Sequence, residues 1–282
     1  MDEDAEPSRN ISGGIDGGGS VTAFETDANA DTRAGAVVDR LGELYWEKTY
    51  GGRDAFETLV RTILSQNTSD AASQPAHDAL MERYGSDSET DADGGERGAD
   101  LVEMLADADR EELAETIAEG GLHNQKSARI IEIAELILAE YGGEAAFDAF
   151  VREEDAGTVR ETLLSMNGVG PKTADCVLLF AGGRPGVFPV DTHVHRIYRR
   201  LGIAPPDADH ETVREVLERD VPEGKCGFGH TASIQFGREY CTARKPTCLD
   251  GPEACPLSDL CDRVGVDIGD SEAHDSADTI GD

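Results

Sequence analysis

The chain has 282 residues, enough for one large domain or two smaller ones around a real core. Its formal net charge is −33, from 58 acidic against 25 basic side chains, and Lys48, Lys126, Lys172, Lys225 and Lys245 are all of its lysines. Such charge excludes an ordinary near-neutral globule, and the usual reading is a self-repelling or disordered chain. The apolar residues are nevertheless well patterned, which fits a folded protein whose acidic shell suits a high-salt cytoplasm. Salt screens charge over only ~3 Å at molar concentration. It therefore suppresses repulsion from a polyanion, and it also removes most counterion-release affinity for one.

Residues 1–33 combine Gly13-Gly14 and Gly17-Gly18-Gly19 with scattered Asp and Glu, and are expected to form a disordered acidic tail. Met1–Pro7 is acidic rather than basic followed by an apolar run, so no signal peptide is expected. Val37, Leu41, Leu44 and Tyr45 mark a first helical stripe. Phe56, Leu59, Val60, Ile63 and Leu64 mark a second, with Asp54 as its expected N-cap. The stretch 85–100 is read as an acidic surface insertion between helical patterns. Leu113 and Ile117 belong to a third stripe. Ile130, Ile131, Ala134, Ile137, Leu138 and Tyr141 form a long one, stopped by Gly142-Gly143. Val159, Leu163 and Leu164 lead into a turn, and Val177 to Phe180 leave it. The stripes through Ile197 and Leu201, through Val213, Val216 and Leu217, and through Ile234 and Phe236 continue the period. Residues 264–282 form a second acidic tail. No alternating strand stands out, so the fold class is all-α, and no apolar run approaches the roughly 20 residues that span a bilayer.

Two segments carry chemistry. In Leu164-Ser-Met-Asn-Gly-Val-Gly-Pro-Lys-Thr-Ala174 the chain leaves a helix, turns through Gly168 and Gly170, and re-enters a helix near Lys172. Glycines allow φ > 0 and let backbone N–H groups approach a bulky anion. A helix starting there aims its positive end at the same point, which grips a nucleic-acid phosphate without reading a base. Pro189-Val-Asp-Thr-His193 then supplies the carboxylate of Asp191. The second segment holds Cys241, Cys248, Cys255 and Cys261, spaced C-x6-C-x6-C-x5-C. Four thiols so close in a reducing compartment indicate a metal site rather than disulfides. The close C-x2–4-C pairs usual for zinc are missing, so a [4Fe–4S] cluster is the better fit. Cys176 and Cys226 are left over as small buried hydrophobes.

These motifs resemble the helix-hairpin-helix plus Gly/Pro…Asp superfamily of DNA glycosylases, above all its endonuclease III branch. There the hairpin reads Leu-Pro-Gly-Val-Gly-x-Lys-Thr-Ala and the next loop Val-Asp-Thr-His. Asn167 stands here for the usual proline, and Pro171 fills the variable position. The cysteine region matches through Gly237-Arg-Glu-Tyr-Cys241 and Ala243-Arg-Lys-Pro246, but the middle spacing is four residues longer than the family's C-x6-C-x2-C-x5-C. The resemblance implies two helical lobes with a DNA-binding cleft between them. One is a helix-hairpin-helix domain over 54–185, and the other an iron–sulfur domain joining 34–53 to 186–263.

It also implies roles. Lys172 would be the nucleophile that captures the sugar C1′ as a Schiff base, the plainer reading being a phosphate contact at a helix start. Asp191 would steady the cationic sugar and move protons, and would cap the next helix as well. Chemistry at C1′ requires the nucleotide to leave the stack. Gln66 and Asn67 stand where the family's gap-filling polar residue lies, and Leu122 where its intercalating loop residue lies. Asp70 would line the base pocket. His193 falls inside the motif, so it and His195 read as structural or DNA-facing, while Arg244 and Lys245 resemble phosphate contacts. The implied protein is a monomeric, nucleoid-associated DNA glycosylase and abasic-site lyase acting on duplex DNA with an oxidised pyrimidine. The alternatives are a mismatch (T/U) or alkylated-base glycosylase, and a non-catalytic iron–sulfur DNA-binding protein.

Overall fold

A computed structural model describes residues 9–10, 20–21, 30–46, 48–49, 54–68, 70–85, 100–268 and 272–273. The expected tails and the acidic insertion therefore fall largely outside the described residues, as do the side chains of Asp70 and Ala71. Among those described, the fold is all-α: twelve α-helices are joined by turns and short 3-10 segments, and the extended pairing consists of three two-residue ladders. None of these helices is long and apolar enough to cross a membrane.

The chain divides into two compact units, Gly52–Arg184 and a discontinuous one made from Met1–Gly51 and Pro185–Asp282. The continuous unit holds α2 (Ala55–Ser65), α3 (Asp70–Tyr84), α4 (Leu101–Ala106), α5 (Arg110–Thr116), α6 (His123–Tyr141), α7 (Glu144–Glu153), α8 (Ala156–Ser165) and α9 (Pro171–Phe180). Phe56, Leu59, Val60, Ile63 and Leu64 of α2 are all buried, as their i, i+3, i+4 spacing requires. Gly142 ends α6 with φ +80, the left-handed stop that glycine takes at least cost. Leu113 and Ile117 are fully buried, although α5 closes at Thr116 and leaves Ile117 as its C-cap.

Asp54 precedes α2 as expected but makes no capping hydrogen bond. The first amide, Ala55 N–H, donates instead to Asp148 Oδ1 of α7 at 2.7 Å. A tertiary carboxylate has displaced the local one, and burial beside Asp148 holds the Asp54 carboxyl above its usual range. Asp100 joins the same cluster: it caps α4 through Glu103 N–H and accepts the Glu144 N–H at 2.7 Å.

The discontinuous unit holds α1 (Arg33–Gly42), α10 (Thr192–Arg200), α11 (His210–Asp220) and α12 (Cys226–Glu239). Val37, Leu41, Tyr45, Phe188, Tyr198 and Phe236 lie in its core. Thr32 caps α1 through Gly35 N–H, and Arg33 donates to Leu260 O at 2.7 Å and to Asp262 Oδ2 at 3.0 Å. The start of this unit is thus stapled to its end.

Within the acidic cluster, burial first and then Asp54 push the Glu144 carboxyl up from 4.5 to about 7. The folded protein binds that proton more tightly than the unfolded chain, so this contribution is complete below about pH 4.5 and lost as pH rises through 7. Glu144→Gln is expected to flatten thermal stability between those limits and to raise Tm at pH 8, as read by circular dichroism melts at each pH.

Candidate functional site

The hairpin between α8 and α9 closes through Val169 N–H donating to Met166 O at 3.1 Å, with Met166 and Val169 both buried. Only one of its glycines needs a left-handed backbone. Gly168 takes φ +83, whereas Gly170 is the extended N-cap of α9 at φ −96. The two have different steric reasons. A Cβ on Gly168 would meet Arg129 Cδ at 2.5 Å, while one on Gly170 would meet nothing within 4 Å. Gly170 therefore keeps a face of the turn open. Pro171 starts α9 at a position that has no need of an N–H, and Lys172 follows it half-buried.

Three braces hold this turn. Gln66 Nε2 donates to Gly168 O at 3.0 Å and to Thr173 Oγ1 at 3.2 Å, linking the end of α2 to the hairpin. Asn167 Nδ2 donates to Glu132 Oε2 at 2.8 Å. Arg160 of α8 pairs with the buried Asp175 of α9 at 2.7 Å. Gln66 is thus occupied with the hairpin itself, and its neighbour Asn67 is exposed with φ +51.

Leu122 is the second exposed residue in the left-handed region, at φ +49 with half its surface open. A non-glycine residue there costs about 1–2 kcal/mol and persists only where its surroundings fix it. Here Gly120, Gly121 and Thr68 surround it: Thr68 Oγ1 donates to Gly120 O at 2.6 Å.

In the discontinuous unit Asp191 is the N-cap of α10, its Oδ1 accepting Val194 N–H at 2.8 Å. Its other oxygen carries no hydrogen bond from the described residues. His193 Nδ1 lies 3.0 Å from Arg196 Nη2, and a guanidinium only donates, so the ring proton sits on Nε2. Burial lowers the His193 pKa further. His195 Nε2 donates to Ala208 O, 2.8 Å away, and the ring stacks on His210 with centroids 4.0 Å apart.

Helix α10 is short and rich in arginine, yet Arg196, Arg199 and Arg200 are all buried. Each donates to main-chain oxygens, although Arg200 Nε has no partner among the described residues. Arg196 binds Cys241 O at 2.9 Å, Arg199 binds Pro206 O, and Arg200 binds Thr242 O at 2.7 Å and Ala243 O at 2.6 Å. Arg196 and Arg200 thereby shape the loop that carries Cys241, Arg244 and Lys245, while Arg199 ties α10 to the turn at Pro206. The apolar period pointed to Ile197 and Leu201 alone, so composition gave no sign of this role.

Cys241, Cys248, Cys255 and Cys261 line one pocket together with Arg200 and Leu257. The residues that lengthen the middle spacing fold into two single turns, Thr247–Asp250 and Pro252–Ala254, hinged at Gly251 with φ +136. The extra length is absorbed there, and both flanking sulfurs stay on the pocket. Burial holds the thiols of Cys248 and Cys261 high and pushes Cys255 up to about 11. Among the described residues no three His, Cys, Asp or Glu groups converge on a single-ion position. Cys176 and Cys226 are buried, as their reading as small hydrophobes requires.

Among the described side chains, three cations carry neither hydrogen bond nor ion pair: Arg129 over the hairpin, and Arg244 and Lys245 beside the cysteine pocket. Arg129 has no motif of its own. Only its contact with Gly168 reveals it.

A helix, a tight glycine turn and a second helix make this a helix-hairpin-helix protein. The chain belongs to the HhH-GPD superfamily of base excision DNA repair proteins, whose family model matches residues 60–223. Within it the chain is endonuclease III-like. Endonuclease III of Thermotoga maritima is 34% identical over 209 residues, covering 74% of this chain and 83% of that protein. That of Bacillus subtilis is 30% identical over 226 residues, covering 79% and 89%. The solved structure of a trapped endonuclease III–DNA covalent intermediate, an estranged-adenine complex, matches with a TM-score of 0.59 at 29% identity, covering 76% of this chain and 85% of that one. The chain is therefore an enzyme of base excision repair, a DNA glycosylase.

The two glycines predict opposite behaviour. Gly168→Ala should cost about 1–2 kcal/mol, and more where Arg129 fails to move aside. Gly170→Ala should leave the melting temperature within a degree or two, or raise it slightly, because its φ suits alanine and the space is empty. It should still weaken binding to a duplex containing a tetrahydrofuran abasic analogue, since the methyl occupies the open face. Melting curves and fluorescence anisotropy on both variants check this.

Proposed function

We propose that this glycosylase is bifunctional, excising an oxidised pyrimidine from duplex DNA and then cutting the strand at the abasic site. The observation that carries the reading is the placement of Lys172 as the second residue of α9, directly after a turn whose Gly170 face is open. In the proposed sequence Lys172 Nζ forms a bond to C1′ of an extruded nucleotide as the glycosidic bond breaks, the electron pair leaving with the base. Ring opening gives an imine, loss of a C2′ proton follows, and the 3′ phosphate departs by β-elimination. Asp191 stabilises the positive charge and relays protons through the oxygen not used in capping α10. The first-turn amides of α9 hold a phosphate. Arg129, Arg244 and Lys245, having no partners among the described residues, add further phosphate contacts, and the exposed Asn67 and Leu122 enter the opened duplex.

The cysteine pocket fits a [4Fe–4S] cluster better than a lone ion. A single tetrahedral metal needs its ligands to converge, whereas each thiolate of a cubane binds its own iron. In this reading Cys241, Cys248, Cys255 and Cys261 hold a cluster that orders the Arg244–Lys245 loop. In this reading the enzyme acts on DNA as a monomer in a high-salt cytoplasm, and the excess of 58 acidic over 25 basic side chains supports the high-salt setting.

The test is borohydride trapping in high salt on duplexes bearing thymine glycol, a uracil mismatch or an alkylated adenine. The thymine glycol duplex should give a covalent adduct with the wild type and none with Lys172→Ala. Strand cleavage unaffected by that substitution would defeat the proposal, and trapping confined to another duplex would reassign the substrate. For the cluster, purified protein should be brown with absorbance near the blue edge of the visible range, and Cys255→Ala should bleach it; a colourless protein rich in zinc would overturn the assignment.

A further inference from the structure

Lys126, in the first turn of α6, is 2% exposed, and its ammonium group has no carboxylate partner among the described residues. Its three N–H donors are all used on oxygens: Leu64 O at 2.7 Å, Gly120 O at 2.8 Å and Thr68 Oγ1 at 2.6 Å. Those acceptors belong to three different places. Leu64 lies in the last turn of α2, Thr68 follows Asn67, and Gly120 opens the turn that presents Leu122. One ammonium group therefore joins both loops that end in an exposed, left-handed, non-glycine residue.

A buried charge is costly unless fully hydrogen-bonded, and a fully satisfied one makes its surroundings rigid. The strain in Leu122 needs such over-determination, and Asn67, although asparagine takes the left-handed region more readily, is held by the same bonds. An exposed leucine held in a strained conformation on a braced turn is suited to an apolar gap between bases, and an adjacent polar side chain to the edge left unpaired. Their usefulness depends on a fixed spacing.

We propose that Lys126 is a positioning residue for nucleotide extrusion: it locks the Asn67 and Leu122 loops at one separation, so that both side chains enter the duplex as a unit. Lys126 acts on opening of the helix and not on bond chemistry. This rests on the repair reading above and assigns a step within it.

The experiment compares single-turnover cleavage by the full-length protein on two substrates. One carries thymine glycol paired with adenine in an intact duplex, and the other carries it within a short mismatched bubble, where little unstacking remains to be done. Lys126→Met removes the clamp. Thr68→Val removes one of its arms while keeping the ammonium and its other two acceptors, and so serves if Lys126→Met melts at the assay temperature. Thr68→Val should lower the rate on the paired lesion by about threefold or more and Lys126→Met by about tenfold or more, both staying within about twofold of wild type on the bubble. Equal losses on both substrates, or no loss on the paired one, would overturn the proposal, since a merely destabilised enzyme loses both together. If the wild type cleaves neither, the repair reading fails and the clamp falls with it. If it cleaves both while the variants show no difference between substrates, the clamp alone is wrong.

Discussion

The buried cations of this acidic chain are tied above all to main-chain oxygen, and the functional loops depend on that bond. Lys126, Arg196, Arg199 and Arg200 are all buried and donate to carbonyl groups at the ends of helices or in turns. A carbonyl is a dipole that no proton or salt ion can neutralise at working pH. A charge–dipole bond in the interior is also screened far less than a surface ion pair. The exposed Arg33–Asp262 and Arg83–Glu112 pairs weaken as salt rises, whereas the interior bonds that shape the loops do not depend on it.

Much of this architecture is legible in the sequence, because helices announce themselves by the spacing of their buried residues. The stripe Phe56 to Leu64 becomes α2, Gly142 stops α6, and the hairpin falls between Ser165 and Pro171. What local pattern cannot carry is the partner supplied by a distant segment. Asp54 looks like a cap, but Asp148 takes that amide from 93 residues away. Gly168 and Gly170 look equivalent, but only the first meets Arg129, which lies on another helix.

The same limit applies to the site residues. Lys172 and Asp191 stand out because motif and helix start coincide in sequence. Gln66 carries no local sign that its amide is spent on Gly168 and Thr173, and Lys126 reads as one more polar residue on α6 until its three acceptors are seen. A charged residue at a helical core position is ambiguous by nature: the period says inside, the chemistry says outside, and only the fold chooses.

The Arg33 staple has a consequence for how the molecule comes into being. Gly52–Arg184 is one uninterrupted stretch of chain. Its companion cannot close until Leu260 and Asp262 exist, because Arg33 is waiting for them. On the ribosome the hairpin-bearing half therefore matures first, and the first helix remains an unfinished surface during translation of more than two hundred residues. The density of negative charge along the chain is well suited to keeping such a surface from sticking to its neighbours during that wait.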